Sequence, residues 1–215
     1  GTTAENSPWL FLMDPDGRVA AAPVVVKGIE KMSDIESISQ EGDDVYLLSS
    51  MGLKKNGKDK RHRNLFVHAT RKRDQLTAKK SIDLREPLIE ALEKSKIPEL
   101  KAMRGLYEEE LDVESHFVKD GNLYVGLKKP QPRDGTALIL DLGRVSQVLS
   151  GRLPPVELYA KIDFRAVSDD KDVLSDMSLR DGYRYEQDMT AIIGKTEDAR
   201  EAQLAFKEKR LPLRS

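Results

Sequence analysis

Ser33-Asp34-Ile35-Glu36-Ser37-Ile38, followed by Gly42-Asp43-Asp44-Val45-Tyr46-Leu47-Leu48, is written a second time further along the chain. The second copy is Leu111-Asp112-Val113-Glu114-Ser115-His116-Phe117, followed by Asp120-Gly121-Asn122-Leu123-Tyr124-Val125-Gly126-Leu127. Each copy opens Asp-apolar-Glu-Ser, passes a turn rich in Asp or Gly, and enters a second strand built around a Tyr. A third, degraded copy begins at Leu174-Ser175-Asp176-Met177-Ser178, with Ser in place of the Glu, and runs on through Asp181-Gly182.

Further strands flank these copies. Asn64 to Thr70 alternates Leu65, Val67 and Ala69 with Phe66, His68 and Thr70, and Leu76 to Leu84 follows it. Thr136 to Asp141 and Val156 to Phe164 complete the second group, and a strand at Met189 to Gly194 and a last strand or helix at Ala202 to Lys207 follow the third copy. Near the N-terminus, Trp9 to Met13, the turn Asp14-Pro15-Asp16-Gly17 and Val19 to Lys27 spell a hairpin, because Asp and Pro initiate such a turn and Gly supplies its positive φ. Between the two full groups the period changes. Leu88, Ile89, Leu92, Leu100 and Met103 recur at helical spacing, Pro87 is tolerated in a first turn, and Pro98 divides the stretch. Two short amphipathic helices over about 86–105 are the expectation.

Four-stranded groups at about 30–84 and 111–164 are the sequence form of β-propeller blades. The expected fold is all-β and of β-propeller type, a single domain over 1–215 with a short helical insert. The Ser33 to Ser37 and Leu111 to Ser115 blocks, the Leu123-Tyr124-Val125-Gly126-Leu127-Lys128 run and the Lys-rich hairpin leading to Asn64-Leu65-Phe66 resemble a bacterial β-propeller family of unknown function. That family is related to the esterase-like phytase propellers. The resemblance covers roughly residues 30–194. It departs from the family pattern at Ser37 and Ser115, where Gly usually follows the Glu, and at Ser49-Ser50-Met51, where a Ser-His-Ser-like run is common. It implies a propeller and supplies no reaction. A ring closes with no fewer than about four blades, and this chain provides about three and a half. The expectation is an incomplete propeller, with upstream blades missing or a second chain completing it, or else an open or sandwich-like sheet arrangement.

Composition narrows the function classes. The chain has 215 residues, 34% of them charged, with a net charge of −1, and its mean hydropathy is −0.54. No apolar run approaches the roughly 20 residues of a membrane-spanning helix. Cysteine is absent, which excludes disulfides, thiolate catalysis and Cys-ligated zinc. Gly1 in place of an initiator Met, followed by a polar run to Ser7, reads as a trimmed start with the scar of a tag. The true N-terminus then lies upstream, periplasmic or secreted residence is the expectation, and the cytoplasm stays open.

Two constellations carry candidate chemistry. Asp34 with Glu36, and Asp112 with Glu114, open the innermost strands of their groups, and residues two apart on a strand share a face. Four such carboxylates around a channel mouth suit a hard cation such as calcium, or a shared proton for acid–base work. Equally, they suit hydrogen bonds to backbone N–H groups that staple neighbouring blades. The second constellation is basic: Lys54, Lys55, Lys58, Lys60, Arg61 and Arg63 around Asn56-Gly57, joined by Arg71, Lys72 and Arg73. Lys54, Lys58, Arg61 and Arg63, together with Lys128, are the candidate contacts for a small anionic ligand. A long solvated hairpin accounts for the same charges. Without interleaved aromatics or a helix-turn-helix pattern, sequence-specific nucleic-acid binding is not expected. Glu108, Glu109 and Glu110 either face the basic loop or end a helix in solvent.

His62, His68 and His116 lack metal-ligand spacing, and only His116, two residues after Glu114, falls near the acidic set. The expected role is a non-catalytic binding scaffold for a small anionic ligand, a metal ion or a protein partner. The rivals are a calcium-dependent phosphoester or ester hydrolase of the phytase or lactonase propeller type, and an interaction module using the helices.

Overall fold

The computed structural model describes residues 9–10, 23–53, 56–73 and 75–163, all within the compact unit Gly1–Leu179. Lys54, Lys55, the Asp14 to Gly17 turn, the third copy of the repeat and the strands expected after it lie outside the described residues.

Among the described residues the chain is mostly β. Strand β1 (Trp9–Leu10) pairs antiparallel with β2 (Val24–Lys27), the two ends of the expected hairpin. Strands β3 (Ile35–Glu41), β4 (Asp44–Ser49), β5 (Leu65–Lys72) and β6 (Gln75–Asp83) follow as an antiparallel meander. The outer edge of β6 is taken by β2 in parallel, giving a six-stranded sheet in the order β1-β2-β6-β5-β4-β3, curled into a half-barrel. The sequence periodicity anticipates four strands here. The two additional strands cover an edge that would otherwise present unpaired backbone groups.

Helices α1 (Arg85–Glu93), α2 (Pro98–Ala102) and α3 (Tyr107–Glu110) come next. The second sheet follows: β7 (Asp112–Lys119), β8 (Asn122–Lys129), β9 (Ala137–Arg144), the short helix α4 (Val145–Val148) and β10 (Glu157–Ile162). Its strand order is β10-β9-β8-β7, a second antiparallel meander. The Asp120-Gly121 turn between β7 and β8 has φ of 52° and 73°, the left-handed pair that a two-residue hairpin needs.

Strand β4 shows why the first sheet is buried on both faces. Val45 and Leu47 point to one side with Val26, Met32, Val67 and Leu76. Tyr46 and Leu48 point to the other, into a larger core with Phe66, Leu88, Leu92, Leu100 and Val113. Leu123, Val125 and Leu127 of β8 belong to that same core. A strand apolar on both faces therefore reads as a continuous run rather than an alternation. The expected helical face is also present, with Leu88, Ile89, Leu92, Leu100 and Met103 all buried. Pro98 stands in the first turn of α2, where its missing N–H costs nothing.

Arg85 locks this insert to the first sheet. Its side chain is 1% exposed. Its Nε donates to the Met51 carbonyl at 3.1 Å, and its Nη2 donates to the Glu108 carbonyl. The Glu86 and Glu108 carboxylates each lie 3.5 Å from Nη1 at the protein surface. Glu108, Glu109 and Glu110 are otherwise exposed and end the insert in solvent. Replacing Arg85 by Met fills the space and strands two carbonyls without donors. Arg85→Met is expected to lower unfolding stability by roughly 2–4 kcal/mol, read as a lower denaturant midpoint at unchanged slope.

Candidate functional site

The two repeat copies meet through Ser50, the residue that follows β4. Its backbone N–H donates to the Asp34 carbonyl at 2.9 Å, and its own carbonyl accepts from the Val113 N–H at 2.7 Å. Its hydroxyl donates to the Asp34 carboxylate and accepts from the Gly52 N–H. One residue thus ties the Asp of the first copy to the second strand residue of the other. Below it, β3 and β7 are joined by Ser37, whose Oγ donates to the His116 carbonyl at 3.1 Å and accepts from the His116 N–H at 3.0 Å.

Both copies carry an irregularity at the same place. The β3–β4 register shifts between Ile35 and Ser37, and the β7–β8 register shifts between Val113 and Ser115. Glu36 and Glu114 are the residues at those shifts, and a bulge re-aims a side chain out of the regular alternation. Asp34 lies just before β3 with a φ of 57°, and Met51, beside Ser50, has a φ of 62°. Non-glycine residues in this region carry a conformational cost and persist only where the surroundings hold them. Asp34, Asp112 and Glu114 lie within electrostatic reach of Glu36. The cause is a left-handed residue and two bulges rather than simple strand alternation.

The four carboxylates share one electrostatic field with two cations. Lys128 Nζ reaches Glu114, whose side chain is almost fully buried, and lies 3.4 Å from Asp112. Its hydrogen bond to Glu114 holds the Lys128 ammonium above the usual lysine range. Arg63 pairs with Asp34, and its Nε donates to the Gly52 carbonyl at 3.2 Å. Glu36 makes no hydrogen bond or ion pair among the described residues. Burial first, and then the charges of Glu114, Asp34 and Asp112, push its carboxyl up to about 7, with only Lys128 opposing them.

The basic candidates divide. Arg63 and Lys128 belong to the carboxylate cluster. Lys58 and Arg61 are exposed on the turn before β5, and the Lys58 N–H donates to Asn56 Oδ1 at 3.2 Å. The histidines take structural partners: Ser33 for His62 at 2.6 Å, Asp44 for His68, and Ser39 for His116 at 2.9 Å. Burial holds His116 down to about 3, so its ring is neutral at physiological pH. Ser50 and Ser37 are the site residues that the charge pattern does not reveal. Both are small neutral residues, in Ser49-Ser50-Met51 and Glu36-Ser37-Ile38, that no charge or spacing argument singles out.

Among the described residues, no group of three or more His, Asp or Glu side chains is arranged to hold a metal ion. No protein-family model, curated protein or solved structure matches the chain.

Glu36 has a folded value above its ordinary 4.5. The folded state therefore binds more protons than the unfolded state between pH 4.5 and about 7, and stability falls as pH rises through that window. Glu36→Gln removes this dependence. The variant is expected to be more stable than wild type at pH 8, with the difference vanishing near pH 4, as measured by denaturant titration at each pH. A difference independent of pH would show that Glu36 is not held in this field.

Proposed function

We propose that the chain is a propeller-type binding scaffold whose mouth, between β3 and β7, takes a cationic group. Two antiparallel meanders with their first strands side by side and the same irregularity in each support the propeller reading. Further blades, from more chain or from a second copy, would complete the ring.

The observation that carries the ligand class is Glu36, a half-buried carboxyl that feels the charges of three carboxylates and has no hydrogen-bond or ion-pair partner among the described residues. The site already seats a guanidinium on Asp34 and an ammonium on Glu114, both from the protein itself. Among the described residues, Glu36 is paired with no such cation. A primary amine or guanidinium, free or on a peptide, fits beside it better than an anion, which would have to displace Asp34 from Arg63 or Glu114 from Lys128. The value near 7 also favours a second reading, in which Glu36 transfers a proton in an ester or phosphoester hydrolase.

Agmatine, which carries an amine and a guanidinium, is the probe. It is expected to raise the melting temperature of wild type more at pH 8 than at pH 6, and to leave Glu36→Gln unchanged. No rise at either pH contradicts the proposal. A rise with calcium chloride alone would return the metal reading, and Glu36-dependent release of nitrophenol from an activated ester or phosphate would favour the hydrolase.

A further inference from the structure

A second corner of the molecule holds acceptor oxygens that nothing among the described residues satisfies. Asn64 follows the 3-10 turn Arg61–Arg63 and precedes β5, while Asp83 ends β6. The pairing of Leu65 with Asp83 sets Asn64 and Asp83 close together at that end of the sheet. Asn64 is 1% exposed. Its backbone is satisfied, the N–H by Arg61 and the carbonyl by Leu84, and its Nδ2 donates to Asp59 Oδ1 at 2.9 Å. Its Oδ1 is buried and has no donor. Asp83 repeats the situation: its carboxylate meets the Arg85 N–H and the Asn64 side chain, yet Oδ1 is buried without a partner.

Exchanging the oxygen and nitrogen of the Asn64 amide does not help, because it would turn Oδ1 onto the Asp59 carboxylate, acceptor against acceptor. The Arg61 charge is felt at Asp83, but Arg61 donates to neither orphaned oxygen. A buried acceptor without a donor is destabilising, and here two stand in one corner beside a second carboxylate.

We propose that Asp59, Asn64 and Asp83 form a seat for a small divalent cation, calcium or magnesium, at the root of the basic turn. The donor set is all oxygen, two carboxylates and an amide, which is the chemistry of a hard cation whose remaining positions are filled by water. Occupancy would pin residues 59–64 to the junction of β6 and α1. Because Arg63 in that turn also holds Asp34, the cation would steady one wall of the mouth from outside it. The seat stands apart from the carboxylates between β3 and β7 and does not depend on the function proposed for them.

The test compares wild type with Asp59→Asn, Asp83→Asn and Glu36→Gln, each dialysed against a chelator and then given millimolar calcium or magnesium chloride. Wild type and Glu36→Gln are expected to gain several degrees in melting temperature, and both Asp variants to lose that gain. Asp59 is exposed, so its variant decides the matter even if Asp83→Asn fails to fold. The proposal is overturned if wild type shows no gain, if the gain survives Asp59→Asn, or if it disappears only in Glu36→Gln. A wild type that ignores both cations but loses stability as pH rises, in a manner abolished by Asp83→Asn, would place a proton on Asp83 instead.

Discussion

The backbone of Ser50 hydrogen-bonds to Asp34 on one side and to Val113 on the other, joining one copy of the repeat to the other, while its hydroxyl fixes the Asp34 carboxylate. Two meanders that each pair only within themselves need such a link, because apolar burial between sheets is not directional. The shared core draws the sheets together, and the hydrogen bonds of Ser50, Ser37 and Ser39 choose how β3 sits beside β7. Serines suit this seam because a small hydroxyl can give and take a hydrogen bond without holding the strands apart.

That choice has an electrostatic consequence. Bringing the starts of β3 and β7 together concentrates four carboxylates where, among the described residues, Lys128 and Arg63 oppose them. Neighbouring charges of one sign, in a partly buried setting, can be relieved by taking up a proton or a cation. Glu36 carries most of that tension because its neighbours already have partners. The left-handed residues Asp34 and Met51 add backbone cost at the same place.

Much of this is legible from residues alone, for identifiable reasons. Strand β4 is expected at Asp44 to Ser49 and is found there, since a Gly-Asp turn and a continuous apolar run mark its limits. The helical insert follows from the spacing of Leu88, Leu92 and Leu100 and from Pro98. The repeat marks Asp34, Glu36, Asp112 and Glu114 as a set, while the left-handed Asp34 and the two register shifts that place them are not visible in it. What stays hidden depends on contacts remote in sequence. Arg85, next to Glu86 and Pro87, belongs to no sequence pattern, and its burial comes from the Met51 and Glu108 carbonyls that accept from it. Arg63 and Lys128 read as anion contacts because sequence sorts charges by sign, whereas the folded chain sets them against carboxylates. Helix α4 lies in a Gly- and Pro-punctuated segment with too few residues to show a helical period.

The central claim is that the two copies of the repeat share one electrostatic field across the seam between β3 and β7. An NMR titration of the Glu36 side-chain carboxyl carbon, in wild type and in Glu114→Gln, measures it most directly. A midpoint near 7 in wild type that falls when Glu114 loses its charge, while burial still holds it above 4.5, is the predicted result. A midpoint that is the same in both proteins, whether near 7 or near 4.5, would contradict the account.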